Sequence, residues 1–585
     1  PLMTNQPNYL HTGNYHDGKK SLADMDKLIG KGYSPIVADD IISEPYAKGT
    51  KFTSRPDDPY NKVTIESLSG DLQLFDGRMN HNNGWFVLRS NIKPGVTKGA
   101  VKWIITPNVV ADWMYQPVIQ TSQIGYHPTQ DKEAVIEMDI RDNRKETAQI
   151  IRIDADGEKV VKNVTPANWG KFLRYNYLKV NFTDVKEPGL YKIKYNTSVS
   201  PIFRIDNDVY ARGVWQPVLE YFLPVQMCHM RVNEKYRVWH DCCHMDDAQM
   251  APAHNHIDGY DQKEGLSKFK PGEVVPGVNI GGWHDAGDFD LRIESQAGES
   301  YILALAYEAF HPNLDVTSID QINRVTEIHQ PDGKNDLLQQ VENGALTVVN
   351  GYLALGRLYR GIICNDLRQY VLLGDAAAMT DGKIGNEDDR WIFTEDNPGR
   401  ELSTAAQLAA VSRVLKGFND TLSVHCLDIA RKVYASTGSG NNRALFPKVQ
   451  AAVELYLTTG EQPYMDFILD NQELIIKQIG RIGWYTARVE KLFAQMKNKK
   501  AKAFSAAFRK ALTGYEQELN KQVQETPYGV PYRPNIWGAG WDIQRFGFQH
   551  YFLTTAYPEI FPKAPVFNAL NFILGCHPGS NQASF

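Results

Sequence analysis

Cysteine is scarce: six residues in 585. That is far too few for a disulfide scaffold. No apolar run approaches the ~18 residues of a membrane span, so a soluble chain is expected. No basic block is present and the formal charge is -5 at pH 7, which excludes the electrostatic footprint of a nucleic-acid binder or of a protein held to an anionic membrane surface. There is no low-complexity tract and no strong internal repeat. A disordered chain, a collagen-like chain and a coiled coil are excluded with them. An initiator Met and a charged-then-apolar leader are also lacking at Pro1. A signal peptide is therefore read as absent or removed, and both ends read as cut points.

The composition that remains is that of a large globular protein, 42% hydrophobic and 22% charged. At ~150 residues per domain the length suggests three or four domain shares, of which a large barrel takes several. Aromatics reach 11%, with 29 Tyr and 11 Trp. That richness suits flat, weakly polar ligands such as sugars, and a large core uses aromatics too.

The first half reads as β-structure. In 134–140, Ala134, Ile136, Met138 and Ile140 alternate with Glu137 and Asp139. In 190–195, Tyr191, Ile193 and Tyr195 alternate with Lys192 and Lys194. Period two with Asp156-Gly157 and Pro188-Gly189 turns predicts an antiparallel sandwich over 117–206. Before it, 84–89 and 100–106 read as strands, so 1–116 is expected to be a β-rich region whose role the residues do not reveal. From 207 the texture becomes helical. Val449, Ala452, Val453 and Tyr456 share a helical face, as do Leu408, Val411, Leu415 and Phe418. Helices are expected at 209–228, 293–310, 338–362, 402–418, 421–436, 446–457, 463–480 and 487–523, with few strands among them. Successive hairpins of this kind over 207–585 predict a helical barrel rather than a four-helix bundle.

Two local clusters carry chemistry. Gly281-Gly282-Trp283-His284-Asp285-Ala286-Gly287-Asp288-Phe289-Asp290 sets two carboxylates three residues apart with small residues between. Both can then face one cleft, and neighbouring carboxylates split their pKa values so that one can act as a base toward water. A turn or helix cap is the plain alternative. Calcium is another, because Asp285, Asp288 and Asp290 are hard oxygen ligands, although no EF-hand pattern is present. The second cluster is Cys228-His229 with His240-Asp241-Cys242-Cys243-His244. With His284 it offers Cys228, Cys243, His244 and His284, a donor set suited to tetrahedral zinc. Four protein ligands would close the site and make it structural. A disulfide or free thiols are the alternatives, and the adjacent Cys242-Cys243 pair leaves the choice of ligand open.

Together these residues resemble glycoside hydrolase family 9, the inverting β-glucanases. Ser122-Gln123-Ile124-Gly125-Tyr126-His127-Pro128 and Glu187-Pro188-Gly189-Leu190-Tyr191 resemble strands of the family's N-terminal immunoglobulin-like domain. Gln226-Met227-Cys228, Cys243-His244, Gly281 to Asp288 and Ile573 to Ser580 resemble its metal ligands, its acidic loop and a late segment near the sugar cleft. The resemblance covers about 117–585. It implies an immunoglobulin-like β-sandwich followed by an (α/α)6 barrel, with Asp288 as general base, Asp285 holding the water, and zinc on Cys228, Cys243, His244 and His284. The family's general acid is a Glu beyond the last matched segment. No residue here matches it, so the barrel is expected to be incomplete at its C-terminal end.

The expected activity is hydrolysis of β-1,4-linked glucan: cellulose, mixed-linkage glucan or xyloglucan. Exo-action on short oligosaccharides and a carbohydrate-binding protein without catalysis are the rivals. Aromatic candidates for stacking on sugar are Trp283, Trp391, Trp484, Tyr485, Tyr528, Tyr532, Trp537 and Trp541, of which 526–541 is the preferred group. A polymeric substrate implies a secreted, periplasmic or cell-surface protein.

Overall fold

The computed structural model describes residues 45, 47–77, 85–246, 248–253, 260, 262–263, 265–285, 289–364, 383, 389–438, 442–533 and 539–579. Asp288, Trp537 and residues 1–44 lie outside them.

The described residues before 117 form two three-stranded sheets. One pairs Ala47–Gly49, Leu72–Gly77 and Trp85–Arg89; the other pairs Lys51–Ser54, Val63–Ser67 and Trp103–Pro107. A sandwich follows. Its first sheet orders Gly157–Val164, Ala148–Asp154, Gly189–Tyr195, Phe203–Ile205 and Gly125–Tyr126, and its second orders Ala167–Phe172, Tyr175–Asn181, Glu133–Asp139 and Val118–Gln120. Ile136, Met138, Ile150, Leu178, Tyr191 and Ile193 meet between the sheets, fully removed from solvent. The alternation at 134–140 misleads in one respect. Glu137 is as buried as its neighbours, and Ile140 is exposed. The outer face of that strand is covered by the helical domain, and Glu137 is made tolerable there by accepting bonds from Tyr177 Oη at 2.7 Å, Tyr115 Oη at 3.0 Å and Gln120 Nε2 at 3.3 Å.

Twelve helices occur among the described residues: α1 (Gln216–Gln226), α2 (Ile293–Phe310), α3 (Asp336–Leu355), α4 (Pro398–Leu415), α5 (Asp420–Ser436), α6 (Asn442–Thr459), α7 (Gln462–Asp470), α8 (Gln472–Lys477), α9 (Ile479–Ala494), α10 (Lys499–Val523), α11 (Ala539–Ala556) and α12 (Ala564–Ile573). Local chemistry sets many of the boundaries. Asn335, Asn397, Asn419 and Asn498 each cap a helix by accepting backbone N–H bonds with their side chains. Gly356 ends α3 in the left-handed region, six residues before the expected end at 362. The stretch expected as one helix at 463–480 is broken at Asn471 and Gln478, and 487–523 is divided between α9 and α10.

Helices α2, α4, α6, α9 and α11 pack successively on one another, while α3, α5, α7, α10 and α12 flank them. This is the layout of a barrel of helical hairpins, in which every inner helix runs the same way. Glu454 of α6 ties the inner layer together. It is wholly buried and bonds Tyr301 of α2 at 2.7 Å, Arg413 of α4 at 2.9 Å, and Arg488 of α9. An apolar cleft of about 350 Å³ lies between α2 and the α11–α12 pair.

Strands do not vanish after 207. Two small four-stranded sheets sit at the rim, one of Arg231–Glu234, Arg237–His240, Thr317–Asp320 and Val325–Ile328, the other of Gln249–Met250, Leu291–Arg292, Gly361–Ile363 and Trp391–Phe393. Their strands run two to four residues, too short for alternation to register.

Candidate active site and metal centre

The acidic loop is fixed by backbone before any side chain acts. His284 N–H donates to Gln226 O at 2.6 Å and Cys228 N–H to Gly282 O at 3.0 Å, while Met227 and Trp283 form a β-bridge. The end of α1 and the start of the loop are thus one short antiparallel ladder. On the other side Gly282 N–H donates to Asn343 O of α3 at 3.0 Å. Gly281 and Gly282 have φ of 65° and 90°, and a Cβ on Gly281 would fall 2.2 Å from Asn343 O. Only glycine lets the loop approach α3 so closely. Asp285 N–H then donates to Asp290 O at 3.1 Å, closing the turn.

Asp285 lies at the N-terminal end of α2. Its Oδ2 is 2.7 Å from Arg292 Nε, and Arg292 Nη2 is 3.4 Å from Asp290 Oδ2. Asp290 is entirely buried and also accepts from Cys364 N–H at 2.8 Å and Tyr260 Oη at 3.3 Å. The Asp285–Arg292–Asp290 series places a guanidinium against two of the three carboxylates considered for calcium. Glu299 lies two turns into α2 on the Arg292 face. Burial, with a further contribution from the Asp285 charge, raises its carboxyl to about 8.

The four metal-ligand candidates converge. Donor atoms of Cys228, Cys243, His244 and His284 all lie within 4.8 Å of one another, and all four residues are buried. The two Sγ atoms are 3.8 Å apart, with His284 Nε2 3.7 Å from Cys243 Sγ and His244 Nδ1 3.9 Å from Cys228 Sγ. The sulfurs are too far apart for a disulfide, which requires about 2.05 Å. A tetrahedral ion with Zn–S bonds of about 2.3 Å has an S–S edge of about 3.8 Å, so the donor set fits such an ion. Burial pushes His244 down to about 3 and lowers His284, which keeps both imidazoles neutral. Burial opposes ionisation of Cys228, but its bond with Cys243 and the charge of Arg390 outweigh that and lower its thiol. Cys242 stands apart, with Sγ 3.8 Å from Arg324 O. Of the adjacent pair, Cys243 joins the converging donors and Cys242 does not.

Arg390 links the two clusters. It is fully buried, donating to Phe289 O at 2.7 Å and to Cys228 Sγ at 3.4 Å. Phe289 itself has φ of 59°, and its ring lies 4.9 Å from that of His284 and 5.6 Å from that of His244. A bulky residue in the left-handed region is strained, and here the strained residue covers the imidazoles of His244 and His284.

The aromatic candidates disperse. Trp283 is 1% exposed. It packs against Phe222 and into the notch left by Gly344, so it belongs to the core rather than to a sugar-stacking face. Trp391 is half-buried beside Phe393 in the rim sheet. Trp484 and Tyr485 line a cavity of about 640 Å³ with Phe446, Gln450, Arg481 and Arg545, at the N-terminal ends of α6, α9 and α11. Ser403 of α4 also lines it, and Arg400, one turn earlier, pairs with Glu294 at the start of α2, so the cavity lies toward the same end of the barrel as Asp285. Tyr528 and Tyr532 depart from the expected cleft: they pack with Val135, Phe172, Tyr177 and Phe572 at the junction of sandwich and barrel. Trp541 is largely exposed on α11. Arg292, Arg390, Tyr260 and Glu299 were missed by motif reading. Only Arg292, seven residues after Asp285, carried a legible signal, as a cation able to balance the loop's acids.

Comparison with known proteins follows the same division. The family model described as glycosyl hydrolase family 9 matches residues 218–581, and that described as cellulase N-terminal ig-like domain matches 114–200. A xyloglucan-specific endo-beta-1,4-glucanase of Bacteroides ovatus is 24% identical over 455 residues, 72% of this chain and 72% of that protein. The crystal structure of a metagenome-derived glycoside hydrolase family 9 endoglucanase matches with a TM-score of 0.59 at 20% identity, over 79% of this chain and 84% of that one. A Zn-binding triple mutant of the family 9 endoglucanase J30 matches with a TM-score of 0.57 at 20% identity, over 77% and 82%. These structural likenesses speak for the fold.

Proposed function

Since the chain belongs to glycosyl hydrolase family 9 and is an endo-β-1,4-glucanase-like hydrolase of β-1,4-glucan, we propose that it cuts a xyloglucan-type polysaccharide with inversion at the anomeric carbon. The observation that carries this reading is the backbone ladder and glycine contact that fix the acidic loop at the rim, with Asp285 already engaged by Arg292. The choice of xyloglucan rests on the Bacteroides ovatus relative.

Asp288 takes a proton from water, and Asp285 orients that water toward the anomeric carbon. In an inverting hydrolase the departing oxygen receives its proton from a separate acid on the opposite face of the sugar, about 6.5–9.5 Å from the base. Trp484, Trp541 and Trp391 are the stacking residues among the described candidates, with Trp537 proposed from sequence alone. Units are taken as 1–116, 117–206 and 207–585. Cys228, Cys243, His244 and His284 would hold a structural zinc ion. When bound it supplies no chemistry to the reaction, because four protein donors leave no open position; it cross-links the loop to the end of α1. A polymer of this size is met outside the cytoplasm, so the protein is secreted, periplasmic or displayed at the cell surface. Among the described residues no helix is long and apolar enough to cross a membrane.

Proton NMR of a xyloglucan or cellohexaose digest tests the mechanism. The first new reducing ends should be α-anomers, and Asp288→Asn should lower kcat about 10²- to 10⁴-fold. Early β-anomers would refute inversion and the role given to Asp288.

A further inference from the structure

The molecule carries a second carboxylate behind the first. Asp290 is wholly buried, and groups from different segments hold it, among them the Cys364 backbone N–H, the Tyr260 hydroxyl and the Arg292 guanidinium. A buried carboxylate is costly unless paired, and breaking such a pair costs more than making it gains. A buried ion pair is therefore weak evidence for a purely stabilising role and better evidence for fixing a geometry. Here the geometry it fixes is that of a guanidinium.

Arg292 is constrained from both ends. Its backbone lies in the rim sheet, paired in register with Gly361. Its guanidinium reaches Asp290 through Nη2 and Asp285 through Nε, and it lies 5.6 Å from the centre of the Tyr260 ring. Arg360 lies over the same ring at 4.6 Å and pairs with Glu294, whereas Arg292 pairs with the loop carboxylates Asp285 and Asp290. Guanidinium planarity makes the second contact dependent on the first. With Nη2 held against Asp290, the rest of the planar group is confined, and Asp285 Oδ2 sits 2.7 Å from its Nε as an ion pair.

We propose that Asp290 and Arg292 are positioning residues for Asp285: the core-anchored Asp290 fixes the plane of the Arg292 guanidinium, and that plane fixes the carboxylate of Asp285 over the cleft. The inference rests on the water-orienting role proposed for Asp285. The contribution of Asp290 and Arg292 is the accuracy with which a water-binding carboxylate is held, and an error of about 1 Å in such a group costs about 10²-fold in rate.

The test is steady-state kinetics on a xyloglucan oligosaccharide with Arg292→Ala, Arg292→Lys, Asp290→Asn and the Asp290→Asn/Arg292→Ala double variant. Arg292→Ala should lower kcat about 10- to 100-fold with KM held within about twofold. Added guanidinium ion, below denaturing concentration, should restore part of the loss in Arg292→Ala and none in Asp288→Asn. Arg292→Lys, which keeps the charge but not the fork, should remain well below wild type. The double variant should be no slower than Arg292→Ala alone, since the two residues act in series. A raised KM at unchanged kcat would overturn the inference by making Arg292 a substrate contact. A loss that follows the melting temperature, without rescue by guanidinium, would overturn it by making the pair structural. A wild-type chain inactive on every β-1,4-glucan would sink the proposed function and this inference with it; an active wild type with an unimpaired Arg292→Ala sinks the inference alone.

Discussion

Glu299 shows what one side chain does to the whole. Its Oε2 is buried and has no hydrogen-bond partner among the described residues. Burial, reinforced by the charge of Asp285, lifts its carboxyl from 4.5 to about 8. A carboxyl raised on folding favours the native state while it stays protonated. Its contribution is complete below the unfolded value near 4.5 and is lost progressively as pH rises to about 8. Asp336, raised by burial to about 6, acts in the same direction over a narrower range. The melting temperature of the helical domain should therefore decline between those limits, and Glu299→Gln should remove part of the slope. Calorimetry across that interval decides it, and parallel curves for the two proteins would remove Glu299 from the account. Arg390 works differently at the same scale. Its buried guanidinium serves a thiol and a backbone carbonyl at once, so the Cys-His donor cluster and the acidic loop share one donor.

At the scale of elements, the described parts of the acidic loop, 281–285 and 289–290, are held on several sides: by the ladder to residues 226–228, by Asn343 of α3, by Arg390 and by the donor cluster. Removing one ligand should loosen a loop that the backbone still partly retains. Cys243→Ser should abolish stoichiometric zinc, measured by elemental analysis, and lower the melting temperature, while leaving residual activity at low temperature. A strong chelator should do the same to the wild type. A stable, zinc-free, inactive Cys243→Ser protein would contradict the structural role. The cavity lined by Trp484 and Tyr485 lies toward the same end of the barrel as Asp285.

At the scale of the whole molecule, the sandwich is bonded to the barrel rather than tethered to it. Gln123 N–H donates to Leu574 O at 2.9 Å, and Cys576 Sγ lies 3.5 Å from Gln120 O. A Cβ on Gly575, whose φ is 117°, would come within 2.7 Å of the Gln123 side chain. Tyr528 fills the junction at 5% exposure, its ring 6.0 Å from that of Tyr177 and 5.5 Å from that of Phe572. Truncating a large buried aromatic costs about 3–5 kcal/mol. Tyr528→Ala should therefore lower the unfolding temperature of both units together, whereas a residue of the sugar cleft would raise KM and leave calorimetry unmoved. If only KM moves, the junction assignment fails.

Much of this protein was legible before its structure. Period-two alternation located two of the sandwich strands and period-3.6 patterns several of the longer helices, because burial on one face leaves its period in the chain. The acidic loop and the Cys-His pair were legible because their chemistry is concentrated within a few residues, and the same motifs pointed to the family. What the sequence could not show depends on faces meeting across long separations. Glu137 reads as a solvent-facing residue until the barrel covers its strand, and Tyr528 reads as a sugar platform until the sandwich covers its ring. Cys242 and Cys243 are neighbours that only folding tells apart, one turned to Arg324 and one to the donor cluster. Asp290 and Arg292 lie in plain view beside the motif. Yet their partners Tyr260 and Cys364 are 30 and 74 residues from Asp290, and a local pattern holds no information about contacts that only the closed fold creates.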